Sequence, residues 1–250
     1  MQNLLQYSSS GSDDDENVSS CAKLPSSENL LRSKLDTMPA AEQDSNEHQG
    51  RIRSFPHERG IWASYVFIDY SSVDPIREFQ QLIIDKCLQK IQLELLPVDK
   101  LHLSLTKTFI LRHHNISAFI ENVRSVLKGC KRFTILLSEL AIYVNEEHTR
   151  TFLALKIHDN STGYLNQLVE KLDGCMRLYK LPEFYKDRSF HVSILWTLGD
   201  QRQLLEEVLD EFQQTFALFY EDEYCDMNAN VRQIHFKCGN KYNSFELLYI

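Results

Sequence analysis

The sequence contains no long apolar run and no closely spaced cysteines. No stretch approaches the ~20 apolar residues that a membrane-spanning helix needs, and the first five residues lack the basic start of a secretory signal peptide. The six cysteines are spread along the chain without a Cys-x-x-Cys pair, which argues against a zinc site or a disulfide framework. We therefore expect an intracellular protein with reduced thiols and no membrane contact.

A basic stretch is also absent. The net charge is −8, and residues 1–50 carry nine acidic and three basic side chains, a net of −6. Residues 51–250 carry 26 acidic and 24 basic side chains, a net of −2. A protein that follows a long nucleic-acid backbone usually presents a basic stripe. The composition thus argues against a long duplex as ligand, but it allows a small phosphate group or one end of a strand.

The charge distribution divides the chain in two. Residues 1–50 are rich in Ser, Asp, Glu and Asn, and residues 8–16 form an acidic serine run that cannot bury enough apolar surface to fold. We expect this segment to be a disordered tail. Residues 51–250 then form one folded domain.

Apolar periodicity predicts a mixed α+β domain. The β-branched and aromatic run at 61–68 indicates a buried strand, and Asp74 followed by Pro75 predicts an N-cap and a first helical turn. Helical spacing is found within residues 76–91, 116–127, 164–176 and 204–216, and strand-like runs lie at 101–106, 133–144, 151–157, 190–196, 231–237 and 242–248. Since strand, helix, strand, helix occurs twice, we expect two pseudo-symmetric lobes of antiparallel sheet flanked by helices, with a central cleft.

Two predicted strands carry the same motif, His102-Leu103-Ser104 and His191-Val192-Ser193. Residues i and i+2 of a strand point to one face, so each strand presents an imidazole beside a hydroxyl while the intervening residues face the core. If the two lobes face each other, two imidazoles and two hydroxyls meet in the cleft.

This set of groups suits cleavage of an RNA phosphodiester through its own 2′-hydroxyl. The reaction needs a base for the 2′ proton and an acid for the leaving 5′ oxygen, and histidine serves both tasks near neutral pH. Serine hydroxyls can stabilise the charge that develops on the phosphate oxygens. Carboxylates with metal-ligand spacing are not evident, so we expect neither a metal nor another cofactor.

Two other interpretations of these histidines compete with a catalytic site. A single histidine on a strand is more often structural than catalytic, but two copies in matching positions favour a site. A Ser-His hydrolase is weaker, because no Gly-x-Ser-x-Gly turn occurs. The histidines without a repeated context are expected to be surface or structural residues: His57, His113, His114, His148, His158 and His235.

The two motifs resemble those of the two-histidine (2H) phosphoesterase superfamily, which is marked by a pair of His-φ-Ser/Thr-φ motifs. Here these are residues 102–105 and 191–194. Further segments resemble the U6 small nuclear RNA phosphodiesterase family within it: residues 51–63, 111–114, 149–152 and 184–187. The similarity runs from about Gly50 to the C-terminus.

The resemblance implies a nuclear, monomeric 3′-to-5′ exoribonuclease that trims the single-stranded oligouridine tail of U6 small nuclear RNA and leaves a 2′,3′-cyclic phosphate. By matching motifs, His102 would be the general base and His191 the general acid. Ser104 and Ser193 would hold the phosphate.

Substrate-binding residues also follow from the resemblance. Tyr185, six residues before His191, matches a tyrosine that stacks on the terminal base, and Asp187 and Ser189 would line the nucleotide pocket. Leu103 and Val192, the central residues of the two motifs, are also expected to bind the substrate. The chain departs from the family at two positions. Glu146 stands where the family often has Gln, and this change affects base preference because an ionised carboxylate only accepts hydrogen bonds. Lys107 stands where a neutral polar residue is common in the family.

Two alternatives stay open at this point. A 2H ligase or cyclic phosphodiesterase would act on an existing 2′,3′-cyclic end and would need no free 2′-hydroxyl. A non-catalytic module that binds an RNA end would keep the fold without turnover, although both histidines and both serines are present.

Overall fold

The computed structural model describes residues 60–221 and 226–249. The predicted tail at residues 1–50 lies outside them. The helices are α1 (Asp74–Ile91), α2 (Ile116–Leu127), α3 (Asp159–Leu178) and α4 (Arg202–Tyr220), with a 3-10 turn at His113–Asn115. The strands are β1 (Ile61–Asp69), β2 (Leu96–Pro97), β3 (His102–Ser104), β4 (Phe109–Arg112), β5 (Phe133–Ile135), β6 (Leu137–Val144), β7 (Arg150–Ile157), β8 (His191–Leu198), β9 (Ala229–Val231), β10 (Gln233–Cys238) and β11 (Lys241–Glu246).

Nine of these strands form one antiparallel sheet. Its order is β11-β10-β1-β3-β8-β7-β6, with β4 added on β1 and β2 added on β8. The remaining strands, β5 and β9, form a separate two-stranded sheet. The α+β prediction with antiparallel sheets is therefore confirmed, and the two lobes correspond to the halves of the large sheet on either side of the β3–β8 junction.

The two motif strands are neighbours at the centre of that sheet. β3 and β8 pair antiparallel through Leu103 and Val192. On its other edge β3 pairs with β1, and β8 pairs with β7. Each motif is thus held between a strand of its own lobe and the motif strand of the other lobe.

Helix α1 does not pack on the half of the sheet that contains the strand before it. Helix α1 follows β1, yet it packs on α4 and contacts β2 and β8 in the other half, and α4 contacts β6. Helix α2 contacts α3 and β11, and the ring of Phe119 lies 5.2 Å from that of Phe236 in β10. The helix pair α1/α4 therefore backs the β6–β8 half, while α2 packs against the β10–β11 half.

Two local predictions need correction. The N-cap of α1 is Val73, without a side-chain hydrogen bond, so Asp74 is instead the first helical residue, where its charge suits the positive end of the helix. The strand run at 133–144 is two strands, because Leu136 donates its N–H to the Ser161 hydroxyl and accepts the N–H of His158. As a result β5 pairs with β9, whereas β6 forms the expected hairpin with β7.

The closing hairpin is also confirmed, with a tighter turn than expected. Gly239, between β10 and β11, has a φ of +57°, a conformation that favours glycine. Its N–H binds the carbonyl of Ala63 in β1, and a Cβ at this position would clash with the ring of Trp62. This close approach fixes the β10–β11 hairpin against β1.

Candidate active site

Each motif strand alternates between the core and one open face. His102, Ser104, His191 and Ser193 are partly exposed on that face. The residues between and after them are all 0% exposed: Leu103, Leu105, Val192 and Ile194. The predicted alternation is confirmed, and it fixes each imidazole on a rigid apolar strand.

The strand register brings the two motifs together. Because the two middle residues pair antiparallel, the same register places His102 across from Ser193 and His191 across from Ser104. The four polar groups form a diagonal arrangement, with one histidine and one serine from each strand at the corners. A single small anion between the strands would meet all four side chains.

Both imidazoles are oriented by the same hydrogen bond. His102 Nδ1 donates to the carbonyl oxygen of Lys100 at 2.8 Å, and His191 Nδ1 donates to that of Ser189 at 2.8 Å. A carbonyl oxygen only accepts, so Nδ1 carries the hydrogen in each ring. In both histidines Nε2 is therefore the atom left to take up or release a proton.

Burial lowers the pKa of both histidines below the ordinary 6.5, because a partly dehydrated imidazolium is disfavoured. The carbonyl bond to Nδ1 opposes this effect in each ring. The charge of Lys237 lowers the pKa of His102 further and Asp69 raises it, while His102 itself lowers the pKa of His191. The charge of His102 thus acts on the ring of His191.

Aromatic side chains flank the two imidazoles differently. The Tyr143 ring stacks on His191 with centroids 3.8 Å apart and an interplanar angle of 17°. Its hydroxyl lies 2.7 Å from the Ser189 Oγ. On the other side, Tyr65 and Phe67 of β1 lie 5.5 and 5.7 Å from the His102 ring.

The structure brings together three of the residues singled out in the sequence. Tyr185 is 47% exposed, and the Lys107 Nζ lies 4.1 Å from the centre of its ring. The same ammonium lies 3.6 Å from the Glu146 Oε1. Burial, followed by the charges of Glu146 and Glu147, raises the pKa of the Tyr185 phenol. An open aromatic face with an ammonium behind it is therefore present.

The segment that carries Tyr185 is anchored to α3. Asp173, only 5% exposed, accepts the backbone N–H of Phe184 at 2.9 Å and lies 3.4 Å from the Arg188 guanidinium. Ser189, the next residue, supplies the carbonyl that orients His191. Asp187 in the same segment is exposed.

The prediction that Leu103 and Val192 bind substrate is corrected at the level of their side chains. Both are completely buried and lie on the face of the sheet opposite the histidines, so neither offers a side-chain surface to a ligand. Their role is to join β3 to β8 through the central backbone pair.

Several residues on the open face were not found from the sequence. They lie on β1, β6, β10 and β11 and before β3: Tyr65, Lys100, Tyr143, His235, Lys237 and Tyr242. The strand alternation Tyr65, Phe67, Asp69 and the alternation His235, Lys237 were a usable signal, because each set points to one face. Which strands would neighbour β3 was not deducible from that pattern.

Within the described ranges, no group of three or more His, Cys, Asp or Glu side chains is placed to hold a metal ion. The cysteines in these ranges are free and buried: Cys87, Cys130, Cys175 and Cys238. No helix among the described residues is long and apolar enough to span a membrane.

Known proteins share both the sequence and the fold. A family model described as "HVSL: Uncharacterised conserved protein" matches residues 23–246. The U6 snRNA phosphodiesterase 1 of Drosophila melanogaster is 40% identical over 205 residues, which cover 82% of this chain and 77% of the relative. Those of Rattus norvegicus and Homo sapiens are 33% and 31% identical, each over 98% of both chains.

Solved structures with the same fold include Kluyveromyces marxianus Usb1, with a TM-score of 0.53 and 15% identity over 75% of this chain and 98% of that one. A structure of Kluyveromyces marxianus Usb1 with uridine monophosphate gives a TM-score of 0.54, again at 15% identity, over 75% of this chain and 99% of that one. With two His-x-Ser strands paired at the centre of the sheet and relatives that match nearly its whole length, the chain belongs to the U6 small nuclear RNA phosphodiesterase family.

Proposed function

We propose that this protein is a nuclear 3′-to-5′ exoribonuclease that trims the single-stranded oligouridine tail of U6 small nuclear RNA as a monomer. The relatives bear the name U6 snRNA phosphodiesterase 1, and a protein of the same fold has been solved with uridine monophosphate. The observation that carries the proposal is the pair of imidazoles on adjacent strands, each with Nδ1 bound to a carbonyl and Nε2 free.

The proposed reaction is an internal transesterification. Nε2 of His102 removes the proton from the 2′-hydroxyl of the penultimate nucleotide, and the 2′ oxygen attacks the adjacent phosphorus. The bond from phosphorus to the 5′ oxygen of the terminal nucleoside breaks, and Nε2–H of His191 protonates that oxygen. The first turnover gives a nucleoside and an RNA shortened by one residue with a 2′,3′-cyclic phosphate. Each later turnover releases a nucleoside 2′,3′-cyclic phosphate.

The surroundings of the two histidines support this division of labour. Burial lowers the pKa of both rings, and at His102 the charges of Lys237 and Asp69 act in opposite directions, so the division depends on the aromatic contacts. The Tyr143 ring lies flat on His191, and an aromatic face attracts a cation, which suits a residue that enters the reaction protonated. The geometry therefore agrees with the roles that the family resemblance implies.

The serine hydroxyls complete the phosphate site. Ser104 lies across from His191 and Ser193 across from His102 in the strand register. Each hydroxyl can donate to a non-bridging oxygen as charge develops there. Two imidazoles and two hydroxyls thus supply proton transfer and charge stabilisation, so the proposed reaction calls for no metal ion.

The terminal nucleoside is assigned to the side of His191, the residue that protonates it. Tyr185, exposed and backed by Lys107, offers a surface on which its base can stack, and stacking of this kind contributes about 1–3 kcal/mol per base. Glu146 can accept a hydrogen bond from the N3–H of uracil, and its contact with Lys107 keeps it beside that ring. Ser189 and Asp187 would border the same pocket.

A synthetic oligouridine tests the proposal when the products are identified by mass spectrometry. We expect stepwise 3′ shortening in the presence of EDTA, with a cyclic phosphate on each new end. Replacing the penultimate 2′-hydroxyl by hydrogen should stop the first step, because the nucleophile is then absent. Cleavage of this deoxy substrate would refute internal transesterification.

Variants of the same enzyme test the assignments. His102→Ala and His191→Ala should each lower kcat at least a hundredfold, the usual contribution of a general acid or base, whereas His114→Ala, an exposed histidine of the 3-10 turn, should not. Activity only on a preformed cyclic end would favour a cyclic phosphodiesterase. Binding without any turnover would favour a non-catalytic RNA-end module.

A further inference from the structure

A cluster of two tyrosines and two lysines lies on the open face beside His102. It comprises Tyr65 of β1, Lys100 just before β3, Lys237 of β10 and Tyr242 of β11. In the strand register Tyr65 pairs with Lys237, and Lys237 pairs with Tyr242, so these three side chains point the same way. We call these four residues the tyrosine–lysine patch.

The patch is held together by contacts between its own members. The Lys100 Nζ donates to the Tyr242 hydroxyl at 3.2 Å. The Lys237 Nζ lies 5.7 Å from the centre of the Tyr65 ring and 5.5 Å from that of Tyr242. The Tyr65 ring in turn lies 5.5 Å from the His102 ring. The patch therefore begins at the proposed general base and extends away from His191.

Its charge is not neutralised nearby. Among the described residues neither Lys100 nor Lys237 forms a salt bridge. The charge of Asp69, on the same face, acts on His102 and His235, and its carboxylate accepts the N–H of Ser71. Tyr242 is 48% exposed. Two ammonium groups without carboxylate partners, next to an open aromatic ring, match the two parts of a nucleotide, its phosphate and its base.

The direction of the reaction decides which nucleotide reaches this patch. The acid protonates the 5′ oxygen of the leaving nucleoside, so that nucleoside lies on the His191 side, where Tyr185 and Tyr143 are. The base removes the 2′ proton of the nucleotide that stays on the RNA, so that nucleotide lies on the His102 side. This step rests on the function proposed above.

We propose that the tyrosine–lysine patch is the binding subsite for the penultimate nucleotide of the RNA. The base of that nucleotide stacks on Tyr242 and Tyr65. Lys100 and Lys237 bind the phosphate on its 5′ side. The subsite holds the 2′-hydroxyl next to Nε2 of His102 and sets the point at which the rest of the RNA leaves the protein.

Equilibrium binding of uncleavable ligands tests this subsite without turnover. Three ligands probe the parts of the site separately. Uridine monophosphate occupies the His191 side, and a dinucleotide of 2′-deoxyuridine followed by uridine occupies both sides. The same dinucleotide with a 5′-phosphate adds the phosphate that the lysines would bind. The wild-type protein should bind the first dinucleotide about tenfold more tightly than uridine monophosphate. The 5′-phosphate should improve binding by a further threefold or more.

Substitutions should separate the two parts of the patch. Tyr242→Leu should lose most of the gain from the second nucleoside, while Tyr242→Phe keeps the ring and should retain it. Lys237→Met and Lys100→Met should lose the gain from the 5′-phosphate. Lys241→Met is the matched control, because Lys241 adjoins Tyr242 on the opposite face of β11, and it should bind all ligands as the wild type does.

Uridine monophosphate reports on folding and on the rest of the site, and its affinity should stay within twofold in the Tyr242 variants and in Lys241→Met. Lys237→Met and Lys100→Met are judged by the gain from the 5′-phosphate over the same variant's unphosphorylated dinucleotide. The inference would be overturned if Tyr242→Leu and Lys237→Met bound the two dinucleotides as tightly as the wild type does. An equal loss of uridine monophosphate binding would overturn it as well, since the patch would then not be a separate subsite. Failure of the wild-type enzyme to shorten oligouridine would instead refute the proposed function.

Discussion

The two catalytic candidates are oriented by backbone and not by a carboxylate. Each imidazole donates Nδ1–H to the carbonyl two residues before it, from Lys100 to His102 and from Ser189 to His191. A carbonyl fixes the tautomer and the ring plane without adding a full charge beside the ring. The carbonyl bonds offset only part of the desolvation, which lowers both pKa values, and both rings can change protonation under mild conditions.

The pH dependence of kcat/KM follows from these lowered pKa values. The base must be neutral and the acid protonated in the free enzyme, so the profile is a bell bounded by the two pKa values. Because burial places both below the ordinary 6.5, we expect the maximum on the acid side of pH 6.5. Initial rates at subsaturating oligouridine measure it, and a maximum above pH 7 would contradict the assignment.

Stability supplies an independent check on the same groups. Below pH 6.5 the unfolded chain binds protons at these histidines more readily than the folded protein does. Stability therefore falls as the pH drops from 6.5 through the lowered pKa values. A His102→Gln, His191→Gln double variant removes this contribution. Its unfolding free energy, from denaturant titration, should decline less steeply than that of the wild type over this range.

At the scale of elements, the segment between α3 and β8 connects the proposed base-stacking residue with one of the proposed catalytic histidines. It carries Tyr185, which faces the solvent, and it ends at Ser189, whose carbonyl orients His191. Asp173 of α3 fixes this segment through the Phe184 N–H and the Arg188 guanidinium. The Arg188 guanidinium also binds the backbone carbonyl of Asn166. A substitution of Asp173 should therefore disturb both the position of Tyr185 and the orientation of His191.

Asp173→Asn tests this connection. The amide can still accept the Phe184 N–H but loses the ionic contact with Arg188, so we expect a loss of about 1–3 kcal/mol in unfolding free energy and a higher KM for oligouridine. Glu183→Gln is the matched control, since its pair with Arg177 is exposed and should contribute less than ~1 kcal/mol. Equal effects of the two variants would count against a positioning role for Asp173.

At the scale of the molecule, one sheet joins the two lobes and helices cross between them. Helix α1 begins after β1 but packs against β8 and α4. Its Gln80 side chain donates to the Ile194 carbonyl at 2.6 Å, directly after the second motif. Such crossing connections keep the halves in a fixed relation, so the distance between the two motif strands is set by the whole fold.

The near-neutral charge of residues 51–250, a net of −2, predicts a short footprint on RNA. Affinity for uncleavable oligouridine should rise until the terminal and penultimate nucleotides are present and then level off. The slope of log Kd against log salt should be only about 1–2, given ~0.7 per phosphate contacted on a single strand. Fluorescence anisotropy with oligouridines of increasing length measures the length dependence and the salt dependence of Kd. An affinity that still increases at about ten nucleotides would indicate a longer RNA-binding surface.

Local patterns were enough to predict most elements and the site's four polar groups. Alternation within a strand is a short-range property, so His102 with Ser104 and His191 with Ser193 could be assigned to one face from their spacing. The division of residues 133–144 into two strands could not be found this way, because it depends on Ser161 and His158, which are distant in sequence.

Patterns along the chain predict the α+β class and the two His-x-Ser strands, and their resemblance to known motifs indicates the family. That β3 and β8 are neighbours, that α1 packs on the other half, and that Tyr65 and Lys237 lie near His102 is visible only in the folded protein. Strand order and helix docking depend on contacts between residues far apart in the chain. A pattern read over a few residues describes which face a side chain occupies, but not which strand will lie next to it.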